Sequence, residues 1–126
     1  MKRKKVKTNL GFATKTIHAG ARPDAITGAR NTPIYQTTSY VFDNTEHAKR
    51  LFSLQDFGFI YSRLTNPTVS VLEERVASIE KAKASVACSS GHAAQQMAFV
   101  PLLNNGDHFI SSNKLYGGSI NQFSKT

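Results

Sequence analysis

One segment constrains the fold of this chain more than any other. A short apolar run at residues 85–88 passes through Ser-Ser-Gly into a stretch of small residues at 92–102, which predicts a buried strand followed by a helix. A helix that begins in such a turn leaves backbone N–H groups free in its first turn, and these groups favour a bound phosphate. Taken alone, the same residues are also typical of a serine-capped helix without a ligand.

Helix signals lie on either side of that segment. Asn66 followed by Pro67 is a typical helix start, with the asparagine as N-cap and the proline in the first turn. This helix is predicted to continue to about Lys81, and the helix at 92–102 is predicted to bend or end at Pro101. The apolar residues of the first helix share one stripe, which predicts a buried face: Val69, Leu72, Val76 and Ile79.

The order of these elements predicts the fold class. The strand at 85–88 and the helix at 92–102 are followed by a turn at 104–107, a second strand at 108–111 and a helix that begins at about residue 119. Alternating helices and strands predict an α/β fold with right-handed crossovers and a parallel sheet. Because two strands do not make a stable parallel sheet, we expect the sequence to be the first part of something larger.

The first 66 residues lack a sustained apolar periodicity. Residues 1–10 form a basic tail, which is expected to be disordered. Residues 11–66 are predicted to form an extended arm that contacts another subunit and contains one short helix. That helix is predicted to be capped by Asn44 or Thr45 and to end at about Leu54. Its apolar side is formed by Ala48, Leu51 and Phe52.

Charge and cysteine content narrow the class of protein. The first seven residues carry +5 of the formal net charge of +8, so the rest of the 126-residue chain is only mildly basic. No basic groove interleaved with aromatic residues follows, and nucleic-acid binding is therefore not expected as the main function. The single cysteine, Cys88, forms no internal disulfide, fits a reducing compartment and is expected to be a buried structural thiol.

Neither a membrane segment nor a metal site is expected. No apolar stretch approaches the length of a membrane span, and the basic start is not followed by the apolar core of a secretory signal. A cytoplasmic protein is the resulting expectation. The four histidines show no metal-ligand spacing, and one cysteine offers no zinc cluster, so no metal is predicted.

Three short motifs in a fixed order carry a family resemblance: residues 61–63 (Tyr-Ser-Arg) before 66–68 (Asn-Pro-Thr), residues 89–92 (Ser-Ser-Gly-His), and residues 115–118 (Leu-Tyr-Gly-Gly). From about Gly11 to Phe123 the chain resembles the N-terminal part of the pyridoxal-phosphate enzymes of cysteine and methionine metabolism. That family includes cystathionine γ-synthases, γ-lyases and O-acetylhomoserine sulfhydrylases. Further stretches most resemble the sulfhydrylase (aminocarboxypropyltransferase) branch: residues 17–20, 27–30, 33–42 and 45–48.

The resemblance implies that five residues contact the phosphate of the cofactor, pyridoxal 5′-phosphate. Tyr61 and Arg63 would reach across a dimer interface to the phosphate bound by the neighbouring subunit, a task that suits the permanently charged, planar guanidinium. Gly91 and His92 would hold the phosphate of their own subunit through backbone N–H groups, with a hydroxyl from Ser90. The side chain of His92 needs no chemical role. Without the other motifs, Arg63 is also typical of a solvated loop.

Tyr116 is the predicted catalytic residue. By resemblance, its ring would stack on the pyridine ring of the cofactor, and its phenol could assist proton transfer at the substrate or the leaving group. As a lone residue, a tyrosine before two glycines is also typical of a core side chain beside a turn.

The resemblance further implies an activity and an assembly. The reaction would convert O-acetyl-L-homoserine and sulfide into L-homocysteine and acetate in methionine biosynthesis, with the cofactor as electron sink. The fold would be the large domain shared with aspartate aminotransferase, of which residues 67–126 are the truncated first part of the cofactor-binding domain. The full-length family would form homodimers or homotetramers with small-molecule partners, without nucleic acid or membrane.

The lysine that bears the cofactor in this family follows well after the Tyr-Gly turn. The lysines near the motifs lie in the wrong places to replace it: Lys81, Lys83, Lys114 and Lys125. Residues 1–126 alone are therefore expected neither to bind the cofactor tightly nor to turn over substrate. Two alternatives stay open: a piece of a cystathionine γ-synthase or γ-lyase, and a non-catalytic remnant or interaction protein.

Overall fold

The computed structural model describes residues 10–125, so residues 1–9 of the predicted basic tail lie outside the described residues. Within residues 10–125 the chain forms five helices and no strand. It divides into two compact units, the first ending at Val86 and the second beginning at Ala87. None of these five helices combines the length and the apolar character needed to span a bilayer.

The first unit begins with α1 (Phe12–His18), which the sequence did not predict, inside the segment expected to be an extended arm. This helix packs against α3 (Pro67–Glu80). Arg75 donates from Nε to the carbonyl oxygen of Ala19 over 3.0 Å. Gly20 has a φ of 73°, and a Cβ there would lie 2.7 Å from a backbone oxygen of α3. Residues 12–20 therefore form an ordered segment packed against α3, although their sequence shows no apolar periodicity.

The predicted short helix is confirmed as α2 (Thr45–Phe52). The side-chain oxygen of Asn44 accepts the N–H of His47 at 2.8 Å, so the asparagine is the N-cap. Leu51 is 2% exposed and packs where Gly58 leaves room for its methyl groups, whereas Phe52 remains exposed. The predicted apolar side of α2 is thus buried at one main position.

Helix α3 is also confirmed, with Asn66 as N-cap, Pro67 at the first position and Lys81 in the left-handed region at its end. The predicted burial of its apolar stripe is wrong for three members, because Val69, Leu72 and Val76 are exposed. The buried position is Ala77 at 6% exposure. Within its unit, α3 packs on the two-turn helix α1, which is too short to cover the whole stripe.

The second unit contains α4 (Gly91–Phe99) and α5 (Gly117–Lys125), which contact each other. Helix α4 ends two residues before Pro101, which has no N–H to continue the helical hydrogen bonds, although Val100 itself keeps helical backbone angles. The predicted turn at 104–107 is confirmed by a bond from the N–H of Asp107 to the carbonyl oxygen of Asn104 at 3.0 Å. The apolar centre of this unit is three aromatic rings with centroids 4.8–5.2 Å apart: Phe99, Phe109 and Phe123.

The two strands predicted at residues 85–88 and 108–111 do not form in the described part of the chain. The strand-type pairing present within residues 10–125 is an isolated antiparallel bridge between Ser39 and Tyr61. A parallel strand requires a neighbouring strand to receive its hydrogen bonds, and these short segments do not supply a ladder. The prediction of a buried Cys88 fails with the sheet, since this thiol is exposed.

Candidate functional site

Tyr61 and Arg63 lie on a tight turn that leads into α3. The N–H groups of Leu64 and Thr65 both donate to the carbonyl oxygen of Tyr61, at 2.9 and 3.1 Å. The guanidinium carbon of Arg63 lies 5.3 Å from the centroid of the Tyr61 ring, which is a cation–π contact. Both side chains are exposed, so the structure brings this predicted pair together and keeps the guanidinium accessible.

Ser62, between these two residues, attaches the turn to the preceding extended segment. Its N–H donates to the carbonyl oxygen of Thr38 at 2.9 Å, and its hydroxyl donates to the carbonyl oxygen of Thr37. The hydroxyl of Tyr40 lies 3.1 Å from the Ser62 oxygen. Because Ser62 has given its one hydroxyl proton to Thr37, Tyr40 is the donor in this bond.

Asn66 closes the base of the turn and is 8% exposed. Its Oδ1 accepts the N–H of Thr68 at 2.9 Å, which is the predicted cap. Its Nδ2 donates to the carbonyl oxygen of Tyr35 at 2.9 Å and to the hydroxyl of Ser62 at 3.0 Å, with a longer contact of 3.3 Å to the hydroxyl of Tyr40. This second role has no local sequence signal, because the carbonyl oxygen of Tyr35 lies 31 residues away along the chain.

Ser90, Gly91 and His92 form the first turn of α4. The hydroxyl oxygen of Ser90 accepts the N–H of Ala93 at 3.1 Å, as an N-cap does. The N–H groups of Gly91 and His92 donate no hydrogen bond within residues 10–125. A Cβ built on Gly91 would meet nothing within 4 Å, so the space beside it is open. Two amide donors and a hydroxyl of this turn are therefore available to an anion.

Tyr116 lies beside this turn. Its ring centroid is 5.8 Å from that of His92, with the two planes tilted by 34°, and 76% of the tyrosine is exposed. Gly118 makes room for both rings, because a Cβ there would lie 2.6 Å from the tyrosine ring and 2.7 Å from the imidazole. The His92 side chain, for which the sequence predicts no chemical role, thus contacts the predicted catalytic tyrosine.

Hydrogen-bonded side chains join α4 to α5 below this site. Gln95 donates to the hydroxyl of Ser119 at 2.9 Å and accepts from it at 3.1 Å, and Ser119 is 4% exposed. Gln122 donates to the carbonyl oxygen of His92 at 3.3 Å and to the side-chain oxygen of Gln96 at 3.2 Å. The only sequence signal for this set is the spacing of Ser119 and Gln122, three positions apart on one helix face.

The charged groups of the described residues offer anion recognition and no metal site. Among residues 10–125, no three His, Cys, Asp or Glu side chains are placed to hold a metal ion. The carboxylate of Asp24 accepts the N–H and the hydroxyl of Thr27, each at 2.8 Å, and these bonds lower the pKa of Asp24 below its ordinary value. For binding an anionic ligand, the first unit has the guanidinium of Arg63. The second unit has the amide donors and the hydroxyl of residues 90–92 and the aromatic ring of Tyr116.

Sequence comparison places these features in a family. Residues 13–126 match the family described as Cys/Met metabolism PLP-dependent enzyme. The chain is 53% identical over 117 residues to O-acetyl-L-homoserine sulfhydrylase 1 of Thermus thermophilus, a match that covers 93% of this chain and 28% of that protein. It is 56% identical over 109 residues to the O-acetyl-L-homoserine sulfhydrylase of Corynebacterium glutamicum, covering 86% and 25%.

Solved structures give the same result. A Campylobacter jejuni protein assigned as an O-acetylhomoserine (thiol)-lyase, with N′-pyridoxyl-lysine-5′-monophosphate at position 205, matches with a TM-score of 0.86 at 38% identity, covering 93% of this chain and 29% of that one. The metB protein of Corynebacterium glutamicum matches with a TM-score of 0.78 at 38% identity, covering 90% and 28%. The chain spans about a quarter of the length of the curated relatives it matches, and it belongs to the family of Cys/Met metabolism PLP-dependent enzymes.

Proposed function

We propose that this chain is the N-terminal part of a pyridoxal-phosphate-dependent transferase that converts O-acetyl-L-homoserine and sulfide into L-homocysteine and acetate. The observation that carries the proposal is the 53% identity to the Thermus thermophilus sulfhydrylase over 93% of the chain. The proposed fold is the α/β large domain shared with aspartate aminotransferase. The proposed assembly is a cytoplasmic homodimer or homotetramer.

The first turn of α4 fits the phosphate of the cofactor. The two N–H groups of Gly91 and His92, without acceptors among residues 10–125, suit phosphate oxygens at the positive end of a helix dipole. The hydroxyl of Ser90 can donate its proton to the same group while its oxygen caps the helix. Tyr61 and Arg63 would add a phenol and a bidentate guanidinium to the phosphate of the neighbouring subunit.

Tyr116 fits the aromatic part of the cofactor. Its exposed ring, which contacts His92 beside the same turn, offers a face on which a pyridine ring can stack. The bound cofactor supplies an electron sink. The Tyr116 phenol would hold or deliver a proton at the substrate or at the departing acetate.

The test is a hybrid enzyme, in which residues 13–126 replace the matching part of the Thermus thermophilus sulfhydrylase. We expect the hybrid to bind pyridoxal 5′-phosphate and to form L-homocysteine and acetate. Tyr116→Phe is expected to lower its kcat by about a hundredfold, the usual contribution of a positioned proton donor. Tyr35→Phe, at a tyrosine whose backbone and not its hydroxyl is hydrogen-bonded in residues 10–125, is the matched control.

Two results would contradict the proposal. A folded hybrid that does not bind the cofactor would remove the cofactor-binding role of this chain. A hybrid that binds the cofactor but joins O-acetyl-L-homoserine to cysteine instead of sulfide would favour cystathionine γ-synthase chemistry.

A further inference from the structure

We infer that Asn66 is a positioning residue, which holds the turn of Tyr61 and Arg63 in one conformation through its amide group. The four side chains involved are called the Asn66 clamp: Asn66, Ser62, Tyr40 and Thr68. The consequence for cofactor binding rests on the proposed function, whereas the effect on the turn does not.

The two ends of the Asn66 amide have separate tasks. Oδ1 caps α3 through the N–H of Thr68. Nδ2 has two hydrogens, and each has an acceptor within 3.0 Å, the carbonyl oxygen of Tyr35 and the hydroxyl of Ser62. A cap requires only the oxygen, so the nitrogen serves another purpose. It joins α3, the turn and the preceding extended segment at one buried point.

Thr68 adds to this connection from the first turn of α3. Its hydroxyl donates to the carbonyl oxygen of Pro33 at 2.8 Å and accepts the N–H of Tyr35 at 2.9 Å. The turn is therefore attached at its entrance by Ser62 and at its exit by Asn66. Because Arg63 lies between these attachments, its backbone has little freedom to move. Its side chain is exposed.

Asn44 provides an internal control for this interpretation. It also caps its helix through Oδ1, which accepts the N–H of His47 at 2.8 Å, the third residue of α2, where Asn66 bonds the second residue of α3. Unlike Asn66, it is exposed, and its Nδ2 donates no hydrogen bond in the described part of the chain. The same residue type thus serves as a cap alone at one helix and as a cap with a clamp at the other.

Asn66→Asp separates the two tasks. A carboxylate keeps the cap and suits the helix dipole, but it cannot donate to Tyr35 or Ser62. In the full chain we expect hydrogen exchange at the N–H groups of Ser62, Leu64 and Thr65 to accelerate on the order of tenfold. Ser62→Ala removes the other partner of the same bond and is expected to act alike. Asn44→Asp should leave these three amides unchanged.

The consequence for the ligand is measured in the hybrid enzyme. We expect Asn66→Asp and Ser62→Ala to raise the Kd for pyridoxal 5′-phosphate on the order of tenfold, because Arg63 is no longer held for the phosphate. Leu51→Ala, which empties a buried site elsewhere in the same unit, is the stability control. It should lower the melting temperature at least as much and leave the Kd unchanged.

The outcomes separate the inference from the proposed function. Unchanged exchange in both Asn66→Asp and Ser62→Ala would overturn the clamp. Equal weakening of cofactor binding by Leu51→Ala would reduce Asn66 to a structural role and also overturn the inference. A hybrid that binds no cofactor with Asn66 intact would overturn the proposed function, while the exchange rates would still decide whether the clamp exists.

Discussion

The N-termini of α3 and α4 have similar cap residues but differ in whether the chain itself fills the space around them. Both helices have a polar N-cap, Asn66 at α3 and Ser90 at α4. At α3 the first residue is a proline without an N–H, and the cap is buried among partners from its own chain. At α4 the first residue is Gly91, beside open space, and the first two N–H groups have no acceptor within residues 10–125.

This difference shows how one structural element serves two purposes. A helix N-terminus whose cap is buried against its own chain is rigid, and it sets the conformation of the loop that precedes it. An N-terminus that the chain leaves open keeps its positive potential for an anion from outside. Cap residues alone do not distinguish the two; the burial of the cap and the partners of the free N–H groups do.

Asn66→Ala should have the largest effect on stability, because it removes a buried cap and its hydrogen bonds to the preceding segment. We expect a loss of roughly 2–4 kcal/mol in the free energy of unfolding, from the lost cap, the lost hydrogen bond to Ser62 and the carbonyl oxygen of Tyr35 left without its donor. Asn44→Ala, which removes a cap alone, should cost about 1 kcal/mol. Urea unfolding followed by circular dichroism measures both. Equal losses would show that the buried end of α3 is energetically an ordinary cap.

Ser90→Asp tests whether the open end is an anion site. An aspartate keeps the cap and should stabilise α4, but its negative charge repels a phosphate in the same turn. In the hybrid enzyme we expect the affinity for pyridoxal 5′-phosphate to fall on the order of tenfold without loss of thermal stability. Asn44→Asp adds the same charge at α2 and should leave the affinity unchanged. Unaltered affinity in Ser90→Asp would argue against phosphate binding there.

The smallest effect on stability is expected in the turn at residues 24–29. There the carboxylate of Asp24 accepts hydrogen bonds from donors in the same turn. The bonds from Thr27 lower the pKa of Asp24 from its ordinary 3.8, so their contribution to stability is present above that value and is lost as the pH falls through the lower folded pKa. Thr27→Val removes the hydroxyl and keeps the N–H. The pKa of Asp24, followed by NMR titration, should rise part of the way toward 3.8, whereas an unchanged pKa would exclude the hydroxyl as a cause.

The elements that the sequence predicted well are those whose signals lie within one helical turn. Asn44, Asn66 and Ser90 each cap a helix through a donor two or three residues ahead, so their helix starts could be located from local chemistry. The turn at 104–107 is local in the same sense. Helix α1 was missed because two turns are too short to show a clear apolar period, and its neighbour α3 lies about 50 residues away.

The predictions that failed concern pairing and burial. Residues 85–88 and 108–111 have strand-like composition, yet a strand exists only when another segment pairs with it. The burial of Cys88 and of the α3 stripe likewise depends on which surface covers them, and residues 10–125 do not supply that surface. The contact between His92 and Tyr116, which Gly118 permits, joins motifs 24 residues apart and has no local signal.

The helix starts and the family resemblance can be read from the sequence, because caps, prolines and motif residues act over a few positions. The burial of Asn66 and its hold on the turn, the open N-terminus of α4 and the contact of His92 with Tyr116 are visible only in the folded chain. These properties depend on distant segments that approach within hydrogen-bonding or van der Waals distance, and local composition does not encode that approach.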